Sequence, residues 1–138
     1  GAVAQKLIPI LCVGEPERDE KGQYLSFIRE ELTSALTALT PKERTKVIIA
    51  YEPLWAIGKT AAAAIAPNDL AEMTLYIRKV LAELIPGKSS SQSLVLYGGS
   101  VEPSNAHDLV TGSGIDGLLI GHASTDPSTF SDLVKQLA

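Results

Sequence analysis

The chain has almost none of the residues on which cross-linked and metal-clustered proteins depend: one cysteine, Cys12, and two histidines, His107 and His122, in 138 residues. A lone cysteine excludes an internal disulfide and supplies no thiolate metal cluster, which fits a reducing compartment. Basic charge is equally short. Twelve Lys and Arg stand against sixteen Asp and Glu, a formal net charge of -4, and no basic run marks a surface for nucleic acid or an anionic membrane. An anionic ligand would have to be held by local donors instead. No stretch is long and apolar enough to cross a bilayer as a helix, and the first residues lack the charged and apolar regions of a secretory signal, so a soluble cytoplasmic protein is the default. Methionine is missing from the first position, where Gly1 stands, and Met73 is the only one. Ala2, Val3, Ala4 and Gln5 read as the tail of a helix running into a strand, so the sequence is expected to be cut from a larger protein on its N-terminal side.

What is present is a repeated alternation of short apolar runs and amphipathic helical patterns. Leu7 to Val13 is strand-like, interrupted by Pro9 and closed by Gly14. Leu25, Ile28, Leu32, Ala35 or Leu36, and Leu39 then recur at helical spacing until Pro41. The β-branched run Val47 to Tyr51 predicts a second strand. A helix starting near Pro67 follows, with Leu70, Met73, Ile77, Val80 or Leu81, and Leu84 as its stripe and Pro86-Gly87 as its end. Lys88 to Ser93 reads as a loop. Leu94 to Tyr97 is a third strand, followed by a helix from Pro103 that carries Ala106, Leu109 and Val110. Gly117 to Ile120 is the fourth, before a helix capped by Thr125 or Asp126 whose buried stripe is Phe130, Leu133, Val134 and Leu137.

Four such units in succession imply a parallel sheet. Its strands are apolar on both faces, whereas right-handed crossovers put helices on only one of them. Closing eight units into a barrel covers the other face and takes about 250 residues. The expected fold class is therefore α/β, with four parallel strand-helix units forming half of a (β/α)8 barrel.

Barrels of this kind carry their chemistry on the loops after the strands' C-terminal ends, and the unusual residues of this sequence lie there. Strand alternation puts Ile48, Ala50 and Glu52 on one face. Pro53 stops the strand with Glu52 still extended, so a carboxylate is presented at the sheet's edge. By itself that is compatible with a merely solvated strand-end residue. An apolar hinge (Pro53, Leu54, Trp55), a small-residue tip (Ala56, Ile57, Gly58) and the polar pair Lys59-Thr60 follow, a segment able to swing as one piece. The turns Gly98-Gly99-Ser100 and Gly121-His122-Ala123-Ser124 each expose backbone N–H groups before a helix, which suits a phosphate. One glycine turn would be weak evidence, since tight turns use glycine anyway. Two beside a glycine-tipped lid are stronger. Cys12 reads as a small buried apolar residue, and Met73 as core.

Leu11-Cys12-Val13-Gly14-Glu15, Ala50 to Gly58, Tyr97-Gly98-Gly99-Ser100-Val101 and Gly117 to Ser124 resemble, in that order, the C-terminal half of triosephosphate isomerase, units five to eight of its TIM barrel. The resemblance implies that residues 1-138 are that half of one domain. It implies that Glu52 is the base moving a proton between adjacent carbons of dihydroxyacetone phosphate and glyceraldehyde 3-phosphate, without metal or organic cofactor. It assigns the backbone N–H groups of Gly58, Ser100, Gly121 and His122 to the substrate phosphate, and Ile57 with Leu119 to an apolar pair closing over the carboxylate. Tyr97 matches the residue that latches the closed lid, and Glu15 with Trp55 a pair of the open one. The implied partners are the triose phosphate, the N-terminal half of the same barrel and, for the complete protein, a second copy in a homodimer, with no nucleic acid and no membrane. The family's electrophilic histidine and substrate-binding lysine belong to the N-terminal half, so this chain alone is expected to be inactive. His107 then takes a surface or structural role.

Two departures stand out against the family pattern. The lid lacks the threonine-glycine pair that usually precedes its lysine, and His122 replaces a glycine. They favour a competing reading, a divergent phosphate-binding TIM-barrel protein that kept the cradle and lost catalysis. Another phosphate-sugar barrel enzyme would share the glycine turns but not the Glu52-Pro53 lid.

Overall fold

Four short apolar runs pair into one parallel sheet: β1 (Ile10–Val13), β2 (Ile48–Tyr51), β3 (Val95–Tyr97) and β4 (Gly117–Leu118), arranged side by side in chain order. The computed structural model describes residues 1–58, 60, 64–87 and 93–138. The register sets Cys12 beside Ala50, Ala50 beside Leu96, and Leu96 beside Gly117. Parallel neighbours need a crossover, and α1 (Gln23–Thr37), α3 (Pro67–Leu84) and α4 (Ala106–Ser113) supply the three, with α5 (Pro127–Leu137) following β4. The single turn α2 (Pro41–Arg44) lies between α1 and β2.

Alternation along the strands decides which residues meet the helices. Val13, Ile49, Tyr51, Val95 and Tyr97 join Ile28, Leu32, Leu36, Leu70, Met73, Ile77 and Leu109 in one buried core. Full burial of each such side chain contributes roughly 1.5–3 kcal/mol before its entropy cost. α1 touches α3, α3 touches α4 and α4 touches α5, so the helices form one layer over one face of the sheet. The opposite face carries Ile10 and Leu94, each 46% exposed, together with exposed Cys12. This is the wall of a barrel seen from both sides, with four of the eight strand-helix units of a (β/α)8 fold present.

The elements differ from sequence expectation mostly at their ends. β1 starts at Ile10 rather than Leu7, because Pro9 has no N–H to give a ladder and enters the sheet only as an acceptor for the Ile48 N–H at 3.0 Å. Leu7 and Ile8 are left exposed. Val3–Gln5 is a single 3-10 turn, stopped by Lys6 at φ 61°. α1 stops at Thr37, ahead of Pro41, which instead opens α2, where Thr40 and Glu43 form a reciprocal capping box. α4 begins at Ala106 instead of Pro103, since the Asn105 side-chain oxygen accepts the Glu102 N–H at 2.8 Å and holds that stretch as a turn. β4 is two residues long rather than four, although the Leu119 N–H still reaches the Tyr97 carbonyl at 2.8 Å.

Asp126, not Thr125, caps α5 by accepting the Thr129 N–H at 2.8 Å, and bonds from Thr129 and Ser128 hold its carboxyl down to about 2. Of the stripe expected on that helix only Leu133 is buried. Phe130, Val134 and Leu137 are 40%, 48% and 42% exposed, because among the described elements α5 packs mainly against α4 and the turn before it.

Candidate active site

Glu52 sits one residue past β2, and its N–H continues the parallel ladder to the Val13 carbonyl at 2.8 Å. Pro53 ends the pairing there, as its sequence position implies. Two glycines make room for this residue. A methyl group on Gly14 would be driven into the Glu52 carbonyl, so β1 and β2 close up at this point only because Gly14 has no side chain. A methyl group on Gly98 would stand 2.6 Å from Glu52 Cγ and 2.7 Å from Oε1, so the carboxylate side chain lies directly across the Gly98 backbone.

Cys12 Sγ donates to Glu52 Oε1 at 3.2 Å. Cys12 is not buried, contrary to the expectation from its residue type. It belongs to the helix-free face and is exposed, and its thiol is pushed up to about 11, first by partial desolvation and then by the Glu52 carboxylate.

Gly98 also borders a cavity of about 450 Å³, in the size range of small-molecule sites, although Glu52 itself is not among its lining residues. Ile57 and Gly58 border it from the lid segment, residues 98–102 from the loop after β3, and Gly121 and His122 from the loop after β4. All four residues expected to hold a phosphate thus surround one space. Gly58 has φ 67°, a left-handed conformation that favours glycine. His122 does not have positive φ, so a side chain stands at that position without backbone strain. The charged or titratable side chains among the described lining residues are Glu102 and His122, with no lysine or arginine. A phosphate there would depend on backbone N–H groups and polar side chains.

The segment expected to act as a lid begins with a tight turn. Leu54–Ala56 form a 3-10 turn in which the Ala56 N–H reaches the Pro53 carbonyl at 2.9 Å. Ser100 Oγ donates to the Ala56 carbonyl at 2.9 Å, tying the lid to the loop that walls the cavity. Thr60 is exposed, and Lys59 lies outside the described residues. At the hinge, fully buried Glu15 accepts from Tyr51 Oη at 2.8 Å and from Trp55 Nε1 at 2.9 Å, and its backbone carbonyl accepts the Leu54 N–H at 3.0 Å. Burial, then the Glu15 charge, raises the Tyr51 phenol above its ordinary range.

Two expected lid partners are placed apart from the cavity. Leu119 is half-buried at the end of β4 and does not border the space that Ile57 borders. Tyr97 is buried on the helix side, its ring 6.4 Å from that of Tyr51 and packed so closely on Gly99 that no side chain fits there. Burial pushes its phenol up to about 12. His107 is exposed on α4 beside Asp108, away from the site.

Sequence reasoning missed Gly14, Tyr51 and Arg18 as parts of this site, and missed the contact between Cys12 and Glu52. The Cys12 contact was reachable in principle: Glu52 shares a face with Ala50, which pairs with Cys12, so the two side chains are diagonal neighbours on adjacent parallel strands. Arg18 gave no signal, since it meets Glu15 and Tyr51 only through a loop conformation.

Among the described residues no three histidine, cysteine, aspartate or glutamate side chains gather as a metal site, and no helix is long and apolar enough to cross a membrane. A model of the triosephosphate isomerase family matches residues 1–137. The triosephosphate isomerase of Roseiflexus castenholzii is 40% identical over 99% of this chain and 54% of its own length. That of Protochlamydia amoebophila is 41% identical, over 94% and 48%, and that of Dictyostelium discoideum is 37% identical, over 97% and 51%. The chain spans about half the length of the curated relatives it matches. With the match running through all four strand-helix units, the chain belongs to the triosephosphate isomerase family.

Proposed function

We propose that the chain is the C-terminal half of a triosephosphate isomerase, and that the complete protein interconverts dihydroxyacetone phosphate and glyceraldehyde 3-phosphate. One observation carries this reading: three separate loops bring Gly58, Ser100, Gly121 and His122 around one cavity, with the Glu52 carboxylate laid across its Gly98 wall. Backbone N–H groups of the four would hold the phosphate, leaving the carbon end of the substrate towards Glu52.

In this reading Glu52 takes the proton from the carbon next to the carbonyl, leaving an enediolate, and returns it to the neighbouring carbon. The oxygen-bound proton is exchanged through the histidine expected from the other half of the barrel, with a lysine there completing the site. The chain alone is therefore inactive. That half also covers the apolar sheet face at Ile10 and Leu94, and the complete protein pairs as a homodimer. The segment from Pro53 to Thr60 closes over the substrate, carrying Ile57 toward Leu119 and exchanging the Trp55–Glu15 contact for a latch on Tyr97. Shutting out water strengthens the base and protects the enediolate from losing its phosphate.

The test is isomerisation by the complete protein with and without Glu52→Gln. The amide cannot accept the proton, and turnover is expected to fall by about 10²–10⁴-fold, the range for losing a general base. A variant that keeps its turnover would refute the assignment. A phosphate-binding protein without catalysis is the second reading, favoured by the His122 side chain in the wall of the cradle. It predicts that glycerol 3-phosphate binds while neither protein isomerises triose phosphate.

A further inference from the structure

We propose that Arg18 is a positioning residue for the lid: it pairs the buried Glu15 and lies against Trp55, and so sets how readily the segment after Glu52 leaves its observed position. This rests on the lid reading given above.

The Glu15 side chain is 0% exposed, and Tyr51 Oη, Trp55 Nε1 and Arg18 Nε all converge on its Oε1, the last at 3.4 Å. Tyr51 and Trp55 are neutral donors. Among the described residues Arg18 supplies the positive charge paired with this carboxylate, and a buried charge that loses its partner is strongly destabilising. Arg18 does more than neutralise. Its guanidinium carbon lies 5.5 Å from the centre of the Trp55 ring and 5.3 Å from that of Tyr24, both within reach of a cation–π contact. Its Nη2 also donates to Tyr51 Oη at 3.4 Å.

The placement of these partners gives the contacts their consequence. Tyr24 stands in the first turn of α1, where its N–H donates to Asp19 at 3.0 Å, so one side of the guanidinium is fixed to the helix layer. Tyr51 immediately precedes Glu52 and Trp55 follows it by three residues. One cation therefore touches both flanks of the carboxylate, the strand that stays and the hinge that swings. With a neutral residue at position 18, the buried carboxylate loses its counter-charge and the indole loses its cationic face. Loss of that face removes a contact Trp55 makes in its observed position and so weakens that position relative to any closed one, and a weaker competitor raises the apparent affinity of whatever binds the closed state.

The measurement uses the complete protein labelled with 15N at tryptophan. The Trp55 Nε1–H resonance is assigned by its loss in Trp55→Phe and followed during titration with glycerol 3-phosphate. Arg18→Met is compared with the wild type, and Glu15→Gln/Arg18→Met serves as a second variant that removes the unpaired charge and so guards against misfolding. Arg18→Lys keeps the charge but not the flat face.

The expected result is a wild-type resonance that moves on binding, and variants lacking Arg18 whose free-state resonance is already displaced toward the bound position. Binding should be about fivefold tighter, in line with the loss of one partly desolvated cation–π contact. Arg18→Lys falls between. Folded variants with the wild-type resonance and affinity, even if less stable to heat, would overturn the role of Arg18 while leaving the lid reading in place. A wild-type resonance that stays still while glycerol 3-phosphate binds would overturn the lid reading, and the proposal with it.

Discussion

Gly98→Ala tests whether Glu52 reacts from the place where it lies. The added methyl would stand 2.6 Å from Glu52 Cγ, 2.7 Å from Oε1 and 3.0 Å from Cδ. Carbon atoms in comfortable contact are about 3.5–4.0 Å apart, so the carboxylate end must retreat by about 1 Å. Gly98 does not have positive φ, so alanine is compatible with its backbone, and the displaced atoms belong to a flexible side chain. The stability cost should therefore stay near the lower end of the overpacking range, about 1 kcal/mol. Rate is a different matter, because a misplacement of about 1 Å between reacting groups can cost about 10²-fold. Isomerisation by the complete protein, measured beside thermal unfolding, should show kcat reduced by about that factor with only a small change in Tm. Gly14→Ala is the control of opposite sign, since its methyl meets the Glu52 carbonyl, and the protein is expected to fail in folding rather than in rate. A Gly98→Ala variant with unchanged kcat/KM would refute the reasoning, because the carboxylate would then be reacting from somewhere else.

Ile77 is fully buried in α3, and Ile77→Ala should cost about 2–5 kcal/mol, read from the urea midpoint of the complete protein. The burial of Tyr97 predicts an alkaline limit. Its phenol is pushed up to about 12 in the fold against about 10 in the unfolded chain, so the folded state prefers the neutral form. Stability is then untouched below about pH 10, falls as the unfolded chain ionises first, and stops falling on this account above about pH 12. Urea midpoints across that window should decline less steeply in Tyr97→Phe. Tyr51 is raised in the same direction, so part of the decline should remain.

The site was legible in the sequence where a local rule acts on a local residue. Pro53 after a β-branched run is enough to place Glu52 at a strand end, and glycine-rich turns before helices are enough to mark the loops that border the cavity. Helical spacing likewise identified Ile28, Leu32, Leu70, Met73 and Ile77 as core. What escaped depends on partners distant in sequence. Phe130, Val134 and Leu137 have the spacing of a buried stripe, yet burial requires a neighbour, and spacing says nothing of which neighbours are present. Cys12 looked like core because its type favours burial, whereas its exposure follows from which face the helices cover. Arg18 and Tyr51 join the Glu15–Trp55 pair, which the family resemblance did imply, only through a loop and a strand end, and no periodicity reaches across those.

The two glycines around Glu52 also differ in what they permit over generations. Any single-base change in a glycine codon that alters the residue adds at least a β-carbon, and at position 14 that carbon has only fixed main chain to push against. Mutants there are lost before any activity can be weighed. At position 98 the obstacle is a movable side chain, so alanine is compatible with a folded protein that, under the proposed function, turns over slowly and is open to later compensation. One position constrains folding and the other, under the proposed function, constrains rate, although the letter at both is the same.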